Sequence, residues 1–197
     1  TLYHPMCTLI SSVGIDFIIF GLLASGIGSA MSGANFITTF GALKSIGQTV
    51  DRLIPTVWSI VITSLVVWIS LPVVTSVLLM VFMDRHYNTM SIESSNSGDP
   101  ILYQHLLWFF GHAEVYIVIF TAFGIVSLIL SCSCSKEVFG NQTMILAMVS
   151  IALIGCLVWA HHMYTSGLKA VTRAFFTTAS ILIAVPAGNN QFNWEGT

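Results

Sequence analysis

Five side chains in this sequence could do chemistry that apolar surroundings normally forbid. In "WFFGHAEVYI" (Trp108–Ile117), His112, Glu114 and Tyr116 interrupt an apolar run, and "WAHHMYT" sets His161 beside His162. A charged group at the centre of a bilayer costs about 3 kcal/mol or more, so each is a functional hypothesis by default. On a helix, His112 and Tyr116 lie one turn apart and share a face, whereas Glu114 projects roughly 200° from His112. Adjacent histidines on a helix diverge by about 100°, so His161 and His162 both reach an ion lying off its side. With His112 they offer three imidazole nitrogens. That donor set, without thiolate or carboxylate nearby in sequence, leans toward copper or zinc. Tyr116 adds weight to copper, because tyrosine releases an electron as well as a proton. Packed, hydrogen-bonded histidines are the plainer alternative, and spacing alone leaves both open.

The elements that position these groups follow from composition. The chain has 197 residues, 55% hydrophobic and only 7% charged, with a net charge of -2 and a mean hydropathy of +0.88. A soluble domain carries about 25% charged residues, so the solvent here is a bilayer. No Lys/Arg cluster exists to hold the phosphates of a nucleic acid. Cys7, Cys132, Cys134 and Cys156 form no C-x-x-C pair and read as free thiols. The opening "TLYHPMCTLI" lacks an initiator Met and a basic leader, which suggests a part of a longer polypeptide.

A spanning helix needs about 20 apolar residues. Five runs qualify, at about 12–40, 56–83, 101–130, 144–164 and 172–192, separated by polar connections rich in Gly, Pro, Ser and Asn. The expected fold is therefore all-α, a polytopic transmembrane helix bundle forming a single domain over 1–197. Pro72 and Pro186 fall within spans, where neighbouring helices can satisfy the freed carbonyls. Lys44, Arg52 and Lys136 on one side balance Arg85, Lys169 and Arg173 on the other, so the positive-inside rule gives no orientation. In the first run, Gly21, Ser25, Gly28 and Ser32 recur at helical spacing. They suit close helix packing or a polar track in which Ser25, Ser29, Ser32 and Asn35 bond water. Asp16 sits near the end of its run, within reach of the interface.

"DPILYQHLLWFFGHAEVYI" and "LVWAHHMYTSGL" closely resemble two segments of haem–copper oxidase catalytic subunits. "TLYHPM", "GANFITTF", "WSIVITS", "LPVV", "TRAFFTTAS" and "AVPAG" extend the resemblance across the chain in the family's order. It implies about five helices of a twelve-helix subunit. His112, His161 and His162 would ligate the copper that faces a high-spin haem. Tyr116 would be cross-linked to His112 and act as electron and proton donor, and Trp108 would lie against the cofactors. Glu114 would relay protons at the head of the D pathway, past Ser29 and Asn35, and Ser127 would belong to the K pathway. The implied reaction is reduction of O2 to water with electrons from cytochrome c, coupled to proton translocation. Haem a and haem a3 would take their iron ligands from outside this chain. Other oxidase subunits and further fragments of the same subunit are then the expected partners. The mitochondrial inner membrane is the expected location, with a bacterial plasma membrane as the alternative.

The sequence also departs from the family's pattern. Ala113 stands where the family has proline, Asn190 at its K-pathway lysine, Ala187 at that lysine's threonine partner, and Leu128 at a histidine. Lys169 and Val171 replace two acidic residues, and Gly28 a serine of the D pathway. Altered proton-path residues favour a second reading, a non-catalytic structural remnant within the respiratory complex. The intact set of His112, Tyr116, His161 and His162 argues for catalysis. An ion channel or transporter using Glu114 would leave the histidine pair unexplained.

Overall fold

The computed structural model describes residues 2–10, 12–43, 47, 49, 53–94 and 97–197, so Lys44 and Arg52 lie outside the described residues. Among those described, the chain is helical and contains no strand. A short α1 (Met6–Leu9) precedes α2 (Val13–Ala42), α3 (Pro55–His86), α4 (Pro100–Cys134) and α5 (Asn141–Gly155). A 3₁₀ turn (Trp159–Met163) leads to α6 (Ala170–Leu182) and α7 (Ala184–Glu195).

Helix starts follow local chemistry. Asp99 caps α4 by accepting from the backbone N–H groups of Ile101 and Leu102. Pro100 and Pro55 open α4 and α3, where a missing N–H costs nothing. Arg85 and His86 close the last turn of α3, where positive charge complements the helix dipole. At the other end of α4, Ser135 takes a left-handed conformation (φ 53°) and stops the helix.

Among the described residues, four helical runs are long and apolar enough to cross a membrane: α2, α3, α4 and Ala170–Glu195, which joins α6 and α7. The polytopic all-α expectation agrees with this, but the fourth run, 144–164, is not one helix. α5 has 15 residues, about 22 Å at 1.5 Å per residue, and ends at Gly155. The chain then tightens into the 3₁₀ turn that carries His161 and His162. The last run breaks at Ile183 because Pro186 has no N–H for the carbonyl of Leu182. By contrast, α4 runs unbroken through Ala113, consistent with the loss of a proline there.

α3 and α4 form the closest pair. A Cβ on Gly124 would overlap the hydroxyl of Ser59 and lie 3.3 Å from the Cα of Thr56. Thr56 Oγ1 donates to the carbonyl of Gly124 at 2.9 Å. α2 is tied to the end of α3 by Arg85, whose side chain is 6% exposed. The guanidinium donates to both Asp16 oxygens (2.8 and 3.3 Å) and to the carbonyls of Cys7, Ile10 and Ser12 (2.7–2.9 Å). Asp16 thus ends up in an ion pair inside the fold, with His86 at 3.1 Å as a further partner. A second apolar cluster joins α3, α4 and α5 through Ile62, Val66, Ala113, Phe120, Met148 and Ile151, and it backs the candidate site.

Candidate metal centre and proton cleft

α4 presents His112 toward the 3₁₀ turn, where His161 and His162 meet it. His112 Nδ1 lies 3.3 Å from His162 Nε2, and His161 Nε2 lies 3.1 Å from the same atom. One ligand atom from each of the three falls within 4.8 Å of the others. Metal–imidazole bonds of about 2.0 Å place neighbouring nitrogens of a tetrahedral site about 3.3 Å apart. The two short separations match that spacing, so the residues fit a metal. The 3₁₀ turn also revises the expected geometry, since adjacent side chains in it diverge by about 120° rather than 100°.

The surroundings orient these rings. Ser180 donates its hydroxyl proton to the carbonyl of Phe176 at 2.6 Å, so it accepts from His161 Nδ1 at 2.9 Å. That fixes the tautomer: Nδ1 carries the proton, and the lone pair of Nε2 faces the cluster. Trp108 stacks on His162, with ring centroids 4.2 Å apart and planes 11° from parallel, and its N–H donates to the hydroxyl of Tyr3. His112 is buried, and its Nε2 has no hydrogen-bond partner among the described residues. Tyr116 packs edge-on against His112, centroids 4.3 Å apart. Its ring is admitted by Gly155, where a Cβ would come within 3.0 Å.

Glu114 faces the other way. It lines a cleft of about 220 Å³ between α2, α3 and α4 with Ser25, Ser29 and Ser70. A second cleft shares Ser25, Ser29 and Val67 and continues along α2 and α3 to Ser32, Ser64 and Phe36. Ser64 and Ser70 donate to their own helix carbonyls at 2.8 and 3.3 Å, leaving oxygen lone pairs free for water. Asn35 stands outside both clefts, exposed, and accepts from Thr39 at 3.4 Å. Of the small-residue face, Ser25, Gly28 and Ser32 line these clefts, and a Cβ added at Gly21 or Gly28 would meet no other element within 4 Å among the described residues. The close approach falls instead at Gly33, against Trp68. Ser127 lies apart, near the far end of α4, accepting from Trp194 Nε1 at 3.0 Å.

Sequence reasoning missed Ser180, Ser64 and Ser70. Ser64 and Ser70 carried some signal, as hydroxyls inside an apolar run. Ser180 is 19 residues from the ring it orients, and no spacing rule links the two.

Spanning helices with three converging imidazoles, one buried, one half-buried and one exposed, and an adjacent tyrosine define a polytopic membrane protein with a candidate metal centre. The whole chain, residues 1–197, matches the family model described as cytochrome c and quinol oxidase polypeptide I. Cytochrome c oxidase subunit 1 of Theileria annulata is 66% identical over 192 residues, covering 98% of this chain and 40% of that protein. The Plasmodium falciparum protein of the same name is 52% identical, covering 98% and 41%. That of Cereibacter sphaeroides is 42% identical, covering 100% and 35%. The chain belongs to the cytochrome c and quinol oxidase polypeptide I family, and it spans about two-fifths of the length of these relatives.

Proposed function

We propose that this chain is the copper-site portion of the catalytic subunit of a cytochrome c oxidase, reducing O2 to water with electrons from cytochrome c and coupling this to proton translocation. The observation that carries the reading is the convergence of His112, His161 and His162, with nitrogen separations of 3.1 and 3.3 Å. These three would hold copper, which supplies an open coordination position and one-electron chemistry when bound. Haem a and haem a3 belong to the assembled subunit, with iron ligands outside this chain. The partners are other oxidase subunits, further parts of subunit I, cytochrome c, O2 and the lipid bilayer. The relatives from Theileria and Plasmodium support the mitochondrial inner membrane; a bacterial plasma membrane is the alternative.

The chain's own residues divide the work by helix face. His112 and Tyr116 share one face of α4, so the phenol stands beside the ligand ring and can give up a proton and an electron there. Trp108 and Ser180 hold the ligand rings in place. On the opposite face, the Glu114 carboxyl takes a proton from water in the serine-lined cleft and passes it on without leaving the membrane interior. Ser29 borders that cleft, whereas Ser127 and Asn35 would serve proton routes elsewhere.

His161→Ala in the assembled oxidase tests the reading. We expect O2 reduction to be abolished while haem content is retained. Full turnover in that variant contradicts the copper assignment.

A further inference from the structure

His112 stands on α4 whereas His161 and His162 stand on the 3₁₀ turn, so the cluster exists only while the turn keeps its place along α4. The turn does not hold itself. It is five residues long, its 3₁₀ geometry makes poorer hydrogen bonds than an α-helix, and its start at Val158 has no side-chain cap. Its position therefore comes from what its side chains meet. His161 reaches α6 through Ser180. Among the described residues, one hydrogen bond outside the imidazole cluster joins the turn to α4: Trp159 Nε1 donates to His105 Nδ1 at 3.2 Å.

His105 and His112 belong to one stripe of α4. Two helical turns between them leave about 20° of misalignment and roughly 10 Å along the axis. Trp108 lies between them on that stripe and stacks on His162. Trp159 itself sits edge-on to Phe109 of α4 at 5.5 Å and to Phe176 of α6 at 5.2 Å. Such ring contacts are satisfied over centroid separations of about 4.5–7 Å, so they let the indole slide. A hydrogen bond does not, because its length and direction are both restricted. An indole N–H only donates, which makes His105 Nδ1 the acceptor and puts the proton of that ring on Nε2.

We propose that His105 is a positioning residue for the three-histidine centre: it accepts from Trp159 and so fixes where the 3₁₀ turn lies along α4. The inference rests on the copper reading, and no part of it requires His105 to touch a metal. Ligands have to be held to within about 0.5 Å by groups outside the site, and the His105 bond grips the turn two residues before His161. Ser180 turns the His161 ring, whereas His105 places the backbone that carries it.

The test uses the intact oxidase with three substitutions. His105→Leu removes the acceptor, His105→Asn puts a side-chain oxygen near the position of Nδ1, and Trp159→Phe keeps a ring without the donor. Copper loss to a chelator is timed, with haem content as the measure of assembly. Loss about tenfold faster is expected in His105→Leu and in Trp159→Phe, the low end for a partner outside the ligand set. Retention should be near normal in His105→Asn, and the His105→Leu/Trp159→Phe double variant should be no worse than either single, since both remove one bond. Copper held as firmly in His105→Leu as in the unsubstituted oxidase overturns the proposal. So does equal loss in His105→Asn and His105→Leu, or additive loss in the double variant. Where His105→Leu fails to assemble, His105→Asn against Trp159→Phe decides by the same comparison. His161→Ala separates this proposal from the reading it rests on. Copper depleted there but unaffected in His105→Leu sinks this proposal alone, whereas copper unchanged in His161→Ala removes the copper reading and the proposal with it.

Discussion

At the scale of single residues, the geometry of the three-histidine cluster depends on side chains outside it. Ser180 fixes the His161 tautomer through one hydrogen bond. Removing such a partner typically weakens metal affinity about 10–100-fold. Ser180→Ala in the intact oxidase should therefore lose copper to a chelator more readily than the unsubstituted complex, with α6 otherwise unchanged. Equal retention would remove Ser180 from the site. On the opposite face, Glu114→Gln should keep the copper and slow the proton-coupled steps, because an amide cannot carry a proton through the cleft. Unchanged turnover and pumping would exclude Glu114. The sequence already separated these two faces, since the phase between His112 and Glu114 follows from helix geometry alone. It could not reveal Ser180, or the stacking of Trp108 on His162, because both depend on how distant segments meet.

At the scale of elements, two joints hold the bundle in register. The first is the α3–α4 contact at Gly124, where any side chain would strike Ser59. Gly124→Val should cost about 1–3 kcal/mol through overpacking, read as a lower melting temperature of the detergent-solubilised complex. An unaltered melting temperature would mean that the helices are free to separate there. The second is Arg85, which uses its donors on Asp16 and three carbonyls. Arg85→Leu removes five hydrogen bonds from this joint and leaves the half-buried Asp16 with His86 alone. Poor assembly of the variant, relieved by adding Asp16→Asn, is the expected outcome; normal assembly of Arg85→Leu alone would show that the pair carries no weight. Hydropathy located each helix here but not its interruptions. The 3₁₀ turn after Gly155 follows no proline, and the apolar pattern runs straight through it. Pro186 did mark its break, because a missing N–H is visible in sequence.

At the scale of the molecule, a largely apolar chain folds into a bundle whose inner seams gather its scarce polar groups. The histidines collect where α4 meets the 3₁₀ turn, the hydroxyls collect between α2 and α3, and asparagines of α7 meet Thr143 of α5. This partition is what a bilayer demands, since each polar group must find a protein or water partner within the fold. It also lets one helix, α4, face the histidine cluster on one side and the Glu114 cleft on the other without mixing the two. The central claim is that His112, His161 and His162 together hold copper. X-ray absorption at the copper edge of the intact oxidase tests it most directly, comparing the unsubstituted complex with His161→Ala. The expected result is a site with imidazole nitrogens at about 2.0 Å that is lost or depleted of a nitrogen ligand in the variant. A copper spectrum that His161→Ala leaves unchanged would contradict it.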